Sequence, residues 1–249
     1  MNRFEDKVVL ITGAGSGIGQ ATAKRLASEG ASVFCTDINE ATAEATATEI
    51  ESSGGKAVAH SFDISDADSV NACVAACVGV FGKLDVVANM AGILRFDLTH
   101  ELKQKNWQRI IDVNLTGTYL LCKATLPHLL KTQGNIVNAA STAALAGIPY
   151  GSAYGASKGG VLAMTRSIAV EYAKQGVRAN CVCPGDISTN MTVDVGFPDG
   201  ADYELMPRIS SITGAKGPEV VAGVIAMLAS ADGAHITGED IRMDGGTLS

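Results

Sequence analysis

The stretch Val8-Val9-Leu10-Ile11-Thr12-Gly13-Ala14-Gly15-Ser16-Gly17-Ile18-Gly19 decides the fold. Residues 8–12 are aliphatic and mostly β-branched, the composition of a buried strand. Four glycines follow within seven positions, and residues 18–29 then read as a helix stopped by Gly30. A glycine-rich turn between strand and helix lets the main chain approach a pyrophosphate, which rests on the N–H groups of the first helical turn. A tight turn needs glycine too, so this signal is weak until its surroundings are read.

Those surroundings repeat the pattern. Strand-like runs at 31–36, 56–62, 84–90, 135–140, 177–183 and 240–243 alternate with helical patterns at 40–53, 67–81, 107–131, 153–174 and 218–229. The long tract before 131 has a break near Lys105, and residues 185–217 lack strong periodicity. Alternation of this kind predicts an α/β fold, a Rossmann-type doubly wound parallel sheet of about seven strands with helices on both faces. No linker or repeat interrupts it, so residues 1–249 are read as one domain, with a lid over about 186–217.

Composition narrows the partners. With 47% hydrophobic residues and 28 glycines the chain is built to bury a core. A net charge of −7 without a Lys or Arg run excludes nucleic acid and an anionic membrane surface as natural partners. Residues 72–81 form the longest nearly apolar run, about half of what a membrane span needs. The opening residues lack the apolar core of a signal peptide, and a cytoplasmic protein is expected. The six cysteines and four histidines show no metal-ligand spacing, so buried free thiols in a reducing compartment are expected and no metal.

Two further features carry chemistry. Asp37 ends the second strand, 18 residues after Gly19, where its carboxylate can accept hydrogen bonds from an adenosine ribose and repel a 2′-phosphate. Neither Ile38 nor Ser16 supplies a cation for that phosphate, so NAD is favoured over NADP; Asp as a plain turn residue is the alternative. Tyr154 and Lys158 stand at i, i+4 on the helix at 153–174, one turn apart on one face. A phenol donates a proton well but is a poor base at its usual pKa of about 10, and a neighbouring cation lowers that value. Any amphipathic helix can carry such a pair.

Together the motifs resemble the short-chain dehydrogenase/reductase family: Thr-Gly-x-x-x-Gly-x-Gly at 12–19 and Tyr-x-x-x-Lys at 154–158, in a chain of this length. The likeness runs from about Lys7 to Gly246. Asn89-Met90-Ala91-Gly92 follows the fourth strand, with Met where the family has a second Asn. Asn114 stands in Asp-Val-Asn-Leu of the fifth helix, Ser141 lies 13 residues before Tyr154, and Pro184-Gly185-Asp186-Ile187-Ser188-Thr189 follows the sixth strand. Asp63, followed by Ile64, stands where the family faces the adenine edge.

The resemblance implies a catalytic set of Asn114, Ser141, Tyr154 and Lys158. Tyr154 would exchange a proton with the substrate oxygen, Ser141 would hydrogen-bond that oxygen, and Lys158 would hold the nicotinamide ribose and lower the Tyr154 pKa. Asn114 would hold a water in a proton relay, or merely cap or kink its helix. The implied NAD-binding set is Gly13, Ser16, Gly17, Ile18, Gly19, Asp37, Ile38, Asp63, Ile64, Asn89, Ala91, Gly92, Tyr154, Lys158, Pro184, Gly185, Ile187 and Thr189. A homotetramer, or a homodimer, is the implied assembly, packed through the helices of Asn114 and Tyr154.

Substrate recognition is expected from Leu94, Phe96, residues 142–150 and the lid. The lid carries Met191, Val193, Val195, Phe197, Met206, Ile209 and Ile212, so it either covers an apolar substrate or packs on the core. Residues 186–216 hold five acids (Asp186, Asp194, Asp199, Asp202 and Glu204) against Arg208 and Lys216. That balance disfavours an acyl carrier protein or a CoA thioester, hence a 3-oxoacyl reductase, relative to a neutral alicyclic, steroid-like or aliphatic alcohol or ketone. A non-catalytic dinucleotide sensor could dispense with Ser141, Tyr154 or Lys158, and all three are present.

Overall fold

The computed structural model describes residues 2–193 and 195–249, so Asp194 of the lid lies outside the described residues. Seven parallel strands form one sheet in the order β3-β2-β1-β4-β5-β6-β7. They are β1 Val8–Thr12, β2 Ser32–Asp37, β3 Lys56–Ser61, β4 Val86–Asn89, β5 Asn135–Ala139, β6 Arg178–Pro184 and β7 Asp240–Met243. The main helices are α1 Gly17–Ser28, α2 Glu40–Ser52, α3 Ala67–Phe81, α4 Gln104–Ile111, α5 Gly117–Thr132, α6 Ser152–Tyr172, the single-turn α7 Asn190–Val193 and α8 Glu219–Ala229.

Strand periodicity explains how both faces are covered. Val9 and Ile11 point to one side and pack with Leu26 of α1, Ile50 of α2 and Ile225 and Leu228 of α8. Val8 and Leu10 point to the other and pack with Val74 of α3, Leu121 and Leu129 of α5 and Ile168 of α6. All five residues of β1 are buried, as a strand sandwiched between helices requires. The strand order reverses between β1 and β4, and Thr12 of β1 aligns with Asn89 of β4 at their carboxyl ends. In an open α/β sheet a crevice forms at that switch point.

The expected helix over 107–131 is in fact two helices joined by a π turn, Asp112–Thr116. The observed break comes inside the tract, and α4 starts at Gln104 where the sequence places a boundary. Within the segment after β6, α7 and a 3₁₀ turn Tyr203–Arg208 stand in a stretch without clear periodicity, tied back by a bridge between Ile187 and Lys216. The amino terminus is fastened by Arg3, which donates to Glu29 at 2.6 Å and to Asp232 at 2.7 Å. Among the described residues no helix is long and apolar enough to cross a membrane.

Candidate active site

The crevice at the switch point is a cavity of about 280 Å³. Gly13, Ser16, Gly17, Ile18 and Gly19 line it from the first turn, Asp37 and Ile38 from the end of β2 and just beyond, Asp63 and Ile64 from the loop after β3, Ala91 and Gly92 from the loop after β4, and Thr189 from the segment after β6. The turn has room only for glycine. A Cβ on Gly19 would lie 2.1 Å from the Gly13 carbonyl oxygen, and Gly13 itself has φ +64°. Ser16 caps α1 without a side-chain hydrogen bond, and the first turn of α1 holds no acidic residue. Its N–H groups therefore remain available to an anion. Asp37 is held in place by the N–H groups of Gly15 and Asn39, each 3.0 Å away. The glycine cradle, the uncapped helix start and a fixed carboxylate suit a dinucleotide of the nicotinamide type.

Other residues of the expected cofactor set lie elsewhere. Asn89 is buried and donates to Asn138 Oδ1 at 2.7 Å, and Ile187 is buried in the core. Pro184 ends β6, where its carbonyl faces the Ser141 hydroxyl at 3.5 Å, and Gly185 packs against Asp244. Met191, expected over the substrate, and Met90 of the Asn-Met-Ala-Gly run also line the cleft, whereas Phe62, Ile93, Arg109 and Val113 line it without a signal drawn from the sequence. The four-residue spacing of Arg109 and Val113 on one helical stretch was the available signal.

The residues expected to carry the chemistry come from three elements. Ser141 lies just beyond β5, its hydroxyl accepting the Ala143 N–H at 3.1 Å, which fixes the side chain at the start of a 3₁₀ turn. Tyr154 stands in the first turn of α6, partly buried, with Lys158 one turn further and 4% exposed. Lys158 Nζ donates to the Ala139 carbonyl at 2.7 Å and lies 5.7 Å from the centre of the Tyr154 ring. Asn114 sits in the π turn, fully buried; its amide exchanges two hydrogen bonds with the Ile93 main chain (2.8 and 2.9 Å) and donates to Ser157 at 3.1 Å. A π turn re-aims side chains relative to an α-helix and is frequent at functional sites. Asn114 Oδ1 and Lys158 Nζ face each other across Gly92, within 3.3 and 3.4 Å of where its Cβ would be.

Electrostatics at the pair differ from the simple expectation. Burial pushes the Tyr154 phenol up, while the neighbouring Ser141 hydroxyl acts in the opposite direction. Burial also lowers Lys158 from 10.5 to about 8. Desolvation disfavours both charged forms, opposing the lowering of the phenol that a neighbouring ammonium exerts.

The family model for short chain dehydrogenases matches residues 7–197. The chain belongs to that family. It is an oxidoreductase acting on alcohol and ketone groups. It is 41% identical over 252 residues to a cyclohexanol dehydrogenase of Acinetobacter sp. (strain SE19), covering 100% of this chain and 97% of that protein. It is 39% identical over 247 residues to a 3-oxoacyl-[acyl-carrier-protein] reductase of Thermotoga maritima, covering 99% of each. The crystal structure of a dehydrogenase/reductase from Sinorhizobium meliloti 1021 superposes with a TM-score of 0.89 at 33% identity, covering 98% of this chain and 96% of the other.

Proposed function

We propose that the protein is an NAD-preferring dehydrogenase of neutral, fairly apolar secondary alcohols, working as one domain with a lid over about 186–217. The observation that carries this reading is the convergence of Tyr154, Ser141 and Lys158 beside a cleft whose ribose end presents the Asp37 carboxylate. Bound NAD supplies the hydride acceptor. The first turn of α1 holds its pyrophosphate, and Asp37 accepts hydrogen bonds from the adenosine ribose while repelling a 2′-phosphate.

Tyr154 takes the proton of the carbinol hydroxyl, and Ser141 hydrogen-bonds the same oxygen, favouring the charge that develops there. Burial raises the Tyr154 pKa, and the Lys158 ammonium, with the positive charge an oxidised nicotinamide would supply, would act against that burial and favour the phenolate. Lys158 would hold the nicotinamide ribose, and Asn114 Oδ1 and Lys158 Nζ, which face each other across Gly92, would hold a water that carries the proton outward.

A 3-oxoacyl reductase is the second reading, favoured by the 39% identity to a protein of that name. Asp186, Asp199, Asp202 and Glu204 around the lid oppose the acidic carrier or thioester that such a substrate brings. Exposed Val170 on α6 (81%) and Tyr119 on α5 (47%) support assembly of copies through those helices, as a homotetramer or homodimer. Six buried free thiols are consistent with a cytoplasmic setting. The test is NADH formation over a panel of secondary alcohols, run with NAD and with NADP. Tyr154→Phe should keep NADH affinity and lose at least about 10²-fold in turnover. Near-normal turnover in that variant refutes the assignment.

A further inference from the structure

Beside the cofactor cleft, in an adjoining cavity that shares Ser16, Gly92 and Arg109 with it, lies an aromatic cluster. Phe96, in the loop after β4, and Phe197, in the lid, are stacked with ring centres 4.7 Å apart and planes 13° from parallel. Tyr150 and Tyr203 meet Phe197 edge-on at 6.4 and 6.2 Å. Tyr150 is fastened at both ends: its hydroxyl accepts the Asp202 N–H at 2.6 Å and its carbonyl accepts the Asp97 N–H at 2.9 Å. Its φ of 62° lies in the left-handed region that a bulky residue avoids, so the surrounding contacts hold it against its own preference.

The cluster lies next to the chemistry. Tyr150 precedes Tyr154 by four residues, and Gly151 caps α6. A Cβ on Gly151 would be 3.8 Å from the Phe96 ring, which places that ring against the start of the catalytic helix. Phe96 and Phe197 also line a cavity of about 840 Å³ that reaches Gly92, the residue between Lys158 and Asn114.

We propose that the Phe96–Phe197 stack, braced by Tyr150, is the end wall of the subsite for the larger substituent of the carbinol, and that it selects compact apolar groups over extended chains. This rests on the alcohol dehydrogenase reading above. Two rings in stacking contact leave no slot between them. A long alkyl chain running from the reacting carbon must part Phe197 from Phe96 and pull on the Asp202–Tyr150 hydrogen bond. An alicyclic ring or a short branched alkyl group instead packs against the cavity side of the closed stack and leaves it intact. Hydrophobic walls of this kind discriminate by about 10- to 200-fold for small changes in fit.

The test compares kcat/KM for cyclohexanol and 2-decanol, with NAD, in the wild type, Phe197→Ala and Phe96→Ala. The wild type should favour cyclohexanol by at least about tenfold, and either truncation should shift the ratio towards 2-decanol by about tenfold or more, chiefly through KM. Phe197→Leu, which keeps apolar bulk without the flat face, should shift it less, and it decides the matter if the alanine variants fail to fold. Equal use of both alcohols by the wild type, or an unmoved ratio in folded variants that bind NADH, overturns the subsite alone. If the wild type binds NADH yet oxidises neither alcohol, the dehydrogenase reading falls and the subsite with it.

Discussion

Replacing Lys158 by Met isolates the energetic consequence of keeping an ammonium inside the protein. The residue is 4% exposed, and burial lowers its pKa from 10.5 to about 8. That gap corresponds to about 3 kcal/mol of penalty on the folded state whenever both states are protonated. The folded state releases its proton first, so between the two values the unfolded state binds more protons and stability rises with pH. The penalty is complete below about pH 8 and gone above about pH 10.5. Between about pH 7 and pH 9.5 the wild type should therefore gain about 2 kcal/mol relative to Lys158→Met, which has no such group to titrate. The neighbouring thiols Cys181 and Cys183, raised to about 11 and about 12, stay protonated across that window in the folded protein, and their unfolded-state titration is common to both proteins. Methionine leaves the Ala139 carbonyl without its donor, at about 1–3 kcal/mol, so the variant need not be the more stable of the two. The slope of the difference is what matters. Urea unfolding of the cofactor-free proteins at a series of pH values measures it. A difference that stays flat, or falls as pH rises, refutes the argument that Lys158 is held in a site that disfavours its charge.

Three further outcomes follow from named contacts. Asp37→Ser should narrow the proposed preference for NADH over NADPH by at least about tenfold, read as dissociation constants by fluorescence, because a carboxylate leaves the ribose end. Gly92→Ala introduces a methyl between Asn114 Oδ1 and Lys158 Nζ at 3.3–3.4 Å; turnover should drop several-fold and its pH profile should move, whereas an unchanged profile argues against a water-borne relay at that spot. Glu29 is held at about 2, chiefly by its hydrogen bond from Arg3, so its stabilising contribution is present above about pH 4.5 and lost as pH falls towards 2. Thermal melts from about pH 5 to pH 3 should show the wild type converging on Glu29→Gln, and parallel curves would contradict this.

Much of the architecture is readable from local sequence. The aliphatic run of β1, the glycine turn and the repeated strand–helix alternation specify a parallel sheet, because periodicity and turn chemistry act over a few residues. Tyr154 and Lys158 are legible in the same way, since helical spacing alone puts them one turn apart. What escapes such reading depends on packing between distant segments. The Phe96–Phe197 stack joins residues 101 positions apart. The Tyr150 backbone is held by Asp97 and Asp202 rather than by its own preference. Arg109 reaches the cofactor cleft from a helix whose phase is set beyond its own turn. The sign of the Tyr154 perturbation was equally hidden, because the neighbouring Lys158 is evident in the chain but desolvation appears only when the site is closed around both.

The π turn at Asp112–Thr116 has an implication for length variation in this region. It accommodates one residue more than an α-helical turn, and that extra residue sets the angular phase of everything after it. Deleting a single residue there would let α4 and α5 fuse into one regular helix at little cost to local geometry. The fusion would swing Asn114 by roughly 100° about the axis, away from Ile93 and Ser157. The segment therefore behaves as a phase-setting insertion, where substitutions that preserve length are gentler than any one-residue change in length.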